Sequence, residues 1–200
     1  MRLAIGLLFL GFAMVARAGQ PSILVLGDSI SAAYGMSLEQ GWVSLLQARL
    51  TQTHPEYTVV NASISGETTA GGLRRLPKLI EEHEPSIVII ELGGNDGLRG
   101  YPISSFRSNL QAMAEMSKAA DAQVLLLAME IPPNYGTRYT SSFRQSYTLV
   151  AEATDSVLGP FMLQDVATDT NLMQADGIHP TVEAQPKLLD TVLPALVDLL

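Results

Sequence analysis

The sequence predicts an α/β sandwich built on a parallel sheet with right-handed crossovers. Two observations predict it: short, continuous apolar runs recur along the chain, and segments of helical periodicity lie between them. Runs that stay apolar instead of alternating belong to strands covered on both faces. Strands separated by helices pair in parallel, and their connections cross over in one hand. No internal repeat and no Pro/Gly/Ser tract interrupts the alternation, so a single folding unit is expected.

The elements follow in chain order. Ile23-Leu24-Val25-Leu26 forms the first strand, ended by Gly27. Trp42, Leu45, Leu46 and Leu50 then mark the apolar stripe of a helix, with Arg49 on its polar flank. Tyr57 to Asn61 is the second strand; Leu73, Leu76, Leu79 and Ile80 mark the second helix. Ile87 to Leu92 is the third strand, followed by a helix carrying Phe106, Leu110, Met113 and Met116. Val124 to Met129 is the fourth strand, and Phe161-Met162-Leu163 is a weaker candidate for a fifth. A last helix, from about Val182 to Leu199, shows Leu188, Leu189, Val192, Leu193, Leu196 and Val197.

Ahead of this pattern, residues 1–18 combine an early charge at Arg2, an apolar stretch from Leu3 to Val15, and small residues at Ala16 and Ala18. That is a secretory signal with an Ala-x-Ala cleavage pattern, so the mature domain is expected to span 19–200 and to reside in the periplasm or be secreted. The stretch is short for a bilayer crossing, which needs about 20 apolar residues, and no later run reaches that length. The net charge of −8 comes from 12 basic and 20 acidic residues. Loss of Arg2 and Arg17 with the leader leaves ten against twenty, or −10. An acidic surface without basic clusters argues against nucleic acid and against docking on anionic lipid. With no cysteine there is no disulfide framework, thiolate nucleophile or thiolate metal site. A monomer is the default expectation.

In parallel α/β sheets ligands bind beyond the carboxyl ends of the strands. Gly27-Asp28-Ser29 follows the first strand and presents the Ser29 hydroxyl at that edge, although Gly-Asp-Ser is also an ordinary turn signal. A serine nucleophile needs a base, usually imidazole. Of the three histidines, His54 sits between a helix and a strand and His83 in a charged stretch; His179 alone has an acid at short spacing, in Asp176-Gly177-Ile178-His179-Pro180. One local turn lets Asp176 hold the Nδ1 proton and leaves Nε2 free to accept from Ser29. The bland alternative is that Asp176 caps the last helix and His179 is a loop residue. Gly66, after the second strand, and Asn95, after the third, are the candidate oxyanion donors, through a backbone N–H and a side-chain amide. Either is otherwise a turn former.

These residues resemble the SGNH, or GDSL, hydrolase family across nearly the whole mature chain. Its four motif positions correspond to Ser29 in Gly27-Asp28-Ser29-Ile30-Ser31, Gly66 in Asn61-Ala62-Ser63-Ile64-Ser65-Gly66, Asn95 in Gly93-Gly94-Asn95-Asp96, and His179 in Asp176-Gly177-Ile178-His179-Pro180. Within the family the chain is most similar to the periplasmic multifunctional acyl-CoA thioesterase, lysophospholipase and arylesterase group of Gram-negative bacteria, notably in the stretches 91–100 and Pro133-Asn134-Tyr135-Gly136. The resemblance implies a flavodoxin-like three-layer α/β/α fold, no cofactor, and hydrolysis of acyl esters and thioesters through Ser29, His179 and Asp176. It also implies an oxyanion hole made by the Ser29 and Gly66 N–H groups and the Asn95 amide. Glu67 stands where that group usually carries aspartate, and it is expected to flank a helix start.

The acyl pocket is less determined. Asp28, Leu98, Tyr101, Ile131 and Tyr135 are candidates for contact with substrate, with Gly97 to Tyr101 as a mobile loop over the acyl chain; the alternative is that Leu98, Ile131 and Tyr135 pack the loops. Two other functions compete. A metal-dependent hydrolase would gather Asp28, Asp96, Asp176 and His179 into an oxygen-rich site, although no spaced ligand motif supports it. A non-catalytic binding protein would share the fold but would not need Ser29 and His179.

Overall fold

The computed structural model describes residues 20–200; the expected signal segment lies outside the described residues. Five strands, β1 (Ser22–Gly27), β2 (Thr58–Asn61), β3 (Ile87–Glu91), β4 (Gln123–Leu127) and β5 (Val157–Gly159), form one sheet in the order β2-β1-β3-β4-β5. Every pairing is parallel. The helices are α1 (Trp42–Thr53), α2 (Thr69–His83), α3 (Gly94–Leu98), α4 (Ile103–Ala119), α5 (Thr137–Thr154) and α6 (Gln185–Val197). Helices α1 and α6 pack together on one side, while α4 packs between α2 and α5 on the other, giving three layers. Among the described residues no helix is long and apolar enough to cross a membrane.

Burial explains why the central strands read so plainly. Ile23 to Leu26 of β1 and Ile87 to Ile90 of β3 are fully buried, since helices cover both faces. Trp42, at the start of α1, is the largest fully buried side chain, and Phe106, Phe143 and Tyr147 cluster between α4 and α5, the two phenylalanine rings stacked at 4.7 Å.

The fifth strand is not the expected one. β5 is the three-residue Val157–Gly159, paired with Leu125 to Leu127 of β4, whereas Phe161 to Leu163 lies in the turn beyond it. Pro160 separates the two, and proline cannot extend the hydrogen-bond ladder. Met162 and Leu163 are buried even so, by packing instead of pairing. Helix α5 was not expected at all. It buries Phe143, Tyr147, Val150 and Ala151 at helical spacing, but serines, threonines and arginines dilute the stripe. The last helix is also shorter than expected, because Val182–Ala184 is a separate 3-10 turn ahead of α6.

The sheet order reverses between β1 and β3: the chain leaves β1 toward β2 on one side and returns to β3 on the other. The loops that follow β1 and β3 therefore diverge and open a crevice at the carboxyl edge. Ser29 follows β1 and Asn95 follows β3, so both candidate groups stand at that crevice.

Candidate active site

The turn after β1 is wound tightly by its own backbone: Ala32 N–H donates to the Asp28 carbonyl at 2.9 Å and Tyr34 N–H to that of Ser29 at 3.1 Å. Its start depends on glycine, since a Cβ on Gly27 would sit 2.6 Å from Glu91 Oε2 and 2.7 Å from Ser31 Cβ. The loop carrying His179 is fastened to this turn. Gln174 Nε2 donates to the carbonyls of Tyr34 at 2.8 Å and Pro180 at 3.0 Å, and Gln174 N–H donates to the His179 carbonyl at 2.7 Å.

So fastened, His179 Nε2 stands 2.9 Å from Ser29 Oγ, and His179 Nδ1 stands 2.7 Å from Asp176 Oδ2. The other Asp176 oxygen accepts the backbone N–H groups of Ile178 at 2.9 Å and His179 at 3.0 Å. Those bonds, the one to the imidazole first, pull the Asp176 carboxyl down to about 2. Tyr34 lies against the imidazole with ring centroids 4.2 Å apart, a partner that sequence reasoning missed. Its only local signal was proximity to the Gly-Asp-Ser turn.

Asn95, in the first turn of α3, donates from Nδ2 to Asp28 Oδ2 at 3.3 Å. Asp96 turns away to α2, accepting from Thr69 N–H at 2.9 Å and Thr69 Oγ at 2.6 Å, so it clamps the starts of α2 and α3 together. The four groups Asp28, Asp96, Asp176 and His179 therefore do not converge. Gly66 has a left-handed φ of 79° in the loop between β2 and α2, where glycine is favoured, and its carbonyl accepts from Arg99 at 3.2 Å. That loop runs along the end of β1, with Ile64 N–H donating to the Gly27 carbonyl at 3.1 Å. Glu67 flanks the helix start as expected and pairs with Arg75 at 2.8 Å.

A cleft of about 640 Å³ opens beside Ser29 and His179. Asp28 and Asn95 stand at its polar end; Leu98, Met129, Ile131, Phe161, Leu163 and Met173 give it apolar walls. Leu98 and Ile131 thus line the cleft, and Gly66 is not among the lining residues. Tyr101 and Tyr135 do not line the cleft either. Tyr135 borders a neighbouring groove with Arg107 and Arg138, and its hydroxyl donates to the Leu98 carbonyl at 2.8 Å. Tyr139 donates likewise to the Tyr101 carbonyl at 2.7 Å. The segment expected as a mobile loop, Gly97 to Tyr101, begins in the last turn of α3, and tyrosine hydroxyls donate to two of its carbonyls, those of Leu98 and Tyr101.

Asp28 is almost fully buried, and desolvation raises its carboxyl from 3.8 to about 6, with the Ile30 N–H opposing. Folding therefore favours the protonated acid. From about pH 4, where the unfolded carboxyl ionises, to about 6, where the folded one does, the fold loses stability as pH rises. Asp176 acts in the opposite sense and below that window, its stabilisation being lost as pH falls toward about 2. Thermal melts of wild type and Asp28→Asn at pH 4 and pH 7 isolate the first effect: wild type should lose ground to the variant between them. An unchanged difference would refute it.

Comparison with known proteins agrees with the geometry. The model of the GDSL-like lipase/acylhydrolase family matches residues 25–185. Esterase TesA of Pseudomonas aeruginosa is 51% identical over 187 residues, covering 94% of this chain and 93% of its own. Thioesterase 1/protease 1/lysophospholipase L1 of Escherichia coli is 42% identical over 183 residues, covering 92% of this chain and 86% of its own. The crystal structure of TesA superposes with a TM-score of 0.87 at 53% identity, over 90% of this chain and 99% of that one. With the fold, the ordered motifs and these relatives in agreement, the chain belongs to the GDSL-like lipase/acylhydrolase family.

Proposed function

We propose that this protein hydrolyses carboxylic ester and thioester bonds of small acyl substrates by forming a covalent acyl-enzyme on Ser29. The observation that carries the reading is the unbroken series from Asp176 through His179 to Ser29 Oγ, at 2.7 and 2.9 Å, at the mouth of an apolar cleft. His179 takes the Ser29 proton as the hydroxyl attacks the acyl carbonyl, and Asp176 steadies the imidazolium that forms. The Ser29 and Gly66 N–H groups and the Asn95 amide receive the oxyanion. His179 then protonates the departing alkoxide or thiolate, and water repeats the sequence to release the acid. No step calls for a cofactor. The names of the relatives, esterase and thioesterase/lysophospholipase, support the reaction class.

The walls of the cleft support an acyl chain as the group held there. Each methylene moved from water into such a surface contributes about 0.8 kcal/mol, so kcat/KM for p-nitrophenyl esters should rise up to about fourfold per methylene until the cleft is filled. A series that is flat with chain length would remove the acyl assignment. Residues 1–18 support export to the periplasm with removal of the leader near Gly19. In that compartment lysophospholipids and other lipid esters are the working substrates, because acyl-CoA is confined to the cytosol.

The test is turnover of the ester series together with labelling by a fluorophosphonate. One label per chain, on Ser29 and absent from Ser29→Ala, is the expected result. Label on another residue, or no turnover of any ester, would sink the reading. Asn95→Ala should lower kcat about a hundredfold, the usual loss for an oxyanion donor, while KM changes little.

A further inference from the structure

The last residue of β3 is Glu91, fully buried in a strand that is otherwise isoleucine and valine. Among the described residues no cation pairs with it. Its Oε2 accepts the Asp28 N–H at 3.2 Å and the Ser31 hydroxyl at 2.7 Å. Ser31 Oγ accepts in turn from the Trp42 indole at 3.1 Å, while Glu91 Oε1 is buried with no partner. A buried, incompletely paired carboxyl is unfavourable, and an aliphatic side chain would relieve it. That change would leave the Asp28 N–H and the Ser31 hydroxyl without an acceptor beneath the turn that carries Ser29.

We infer that Glu91 is a positioning residue for ester hydrolysis: its Oε2 ties both ends of the Asp28-to-Ser31 turn to the end of β3 and thereby fixes Ser29 Oγ within reach of His179. The inference rests on Ser29 being the nucleophile. It also accounts for Gly27, whose missing Cβ is the space that Glu91 Oε2 and Ser31 occupy. The geometry asks only for an acceptor at Oε2. Burial, and then the neighbouring Asp28 charge, push the Glu91 carboxyl well above its ordinary range. Glutamine supplies the same acceptor; leucine supplies none, and aspartate is one methylene too short.

The experiment compares wild type, Glu91→Gln, Glu91→Leu, Glu91→Asp and Ser31→Ala, well below each melting temperature. It measures kcat and KM on a p-nitrophenyl ester and the rate of fluorophosphonate labelling. A displaced reacting atom costs on the order of tenfold to a hundredfold in rate. Glu91→Leu and Glu91→Asp should therefore lose at least about tenfold in kcat and in labelling rate with KM within about twofold, and Glu91→Gln should stay within about threefold of wild type. Ser31→Ala, which removes one of the two ties, should show the same kind of loss at smaller size. Folded Glu91→Leu with wild-type kcat and labelling overturns the inference, as does Glu91→Gln impaired as badly as Glu91→Leu. If Glu91→Leu does not fold, Ser31→Ala decides, and wild-type labelling in that variant overturns it. Failure of the wild-type enzyme to label would instead sink the nucleophile assignment itself.

Discussion

Ser29→Ala and His179→Ala should each lower kcat on p-nitrophenyl esters by about four to six orders of magnitude. The size follows from how the two groups depend on each other. A serine hydroxyl is a poor nucleophile at neutral pH, and only a base at hydrogen-bond distance makes it competent; here that distance is 2.9 Å. Removing either partner abolishes the same step, so the double variant should be no worse than the single ones. Any residual rate would come from substrate binding and the oxyanion donors. Stability should change little in Ser29→Ala, because Ser29 makes one side-chain hydrogen bond and lies at a cleft, outside the packed core. A Ser29→Ala melting temperature near wild type together with this loss would establish a chemical role. Variants that keep more than about a hundredth of the activity would rule the assignment out.

How far this site could be read before the structure depended on where its information lies. Ser29, Asn95, Asp176 and His179 stand in short motifs directly after strands or within one tight loop, and parallel topology carries such loops to one edge. Strands β1, β3 and β4 were legible because both faces are buried, which leaves unbroken apolar runs. Strand β5 was not, since an edge strand of three residues, cut by Pro160, has too little pattern to distinguish it from the apolar turn that follows. Helix α3 is spelled Gly-Asn-Asp-Gly-Leu, and its first four residues are of low helix propensity and read as a turn; it stands because tertiary bonds such as that of Asp96 to Thr69 hold it. The distance of Tyr101 and Tyr135 from the cleft was invisible for a related reason. The Tyr135 hydroxyl reaches the Leu98 carbonyl and the Tyr139 hydroxyl the Tyr101 carbonyl, 37 and 38 positions away, and the Glu91 bonds span 60 and 63. No local periodicity records such contacts.

Asp176→Asn is expected to lower kcat about a thousandfold or more while leaving the loop folded. The loop survives because one side-chain oxygen, Oδ1, accepts the Ile178 and His179 N–H groups, and the asparagine carbonyl can still do so. The other atom is what changes. Asp176 Oδ2, 2.7 Å from His179 Nδ1, accepts a hydrogen bond from the proton on that nitrogen and so keeps Nε2 free as the base toward Ser29. With the amide oxygen engaged by the backbone, the amide nitrogen faces Nδ1 as a donor. The imidazole must then carry its proton on Nε2, where it cannot accept from the serine. Asp176→Ala removes both functions, so it should lose activity and also loosen the loop. The comparison is therefore diagnostic: kcat of the two variants, read beside their melting temperatures. A thousandfold loss in Asp176→Asn at unchanged melting temperature identifies the tautomer as what the carboxylate controls. An Asp176→Asn enzyme close to wild type would mean that the carboxylate only shapes the turn, and that His179 is oriented by its backbone bonds and by Tyr34.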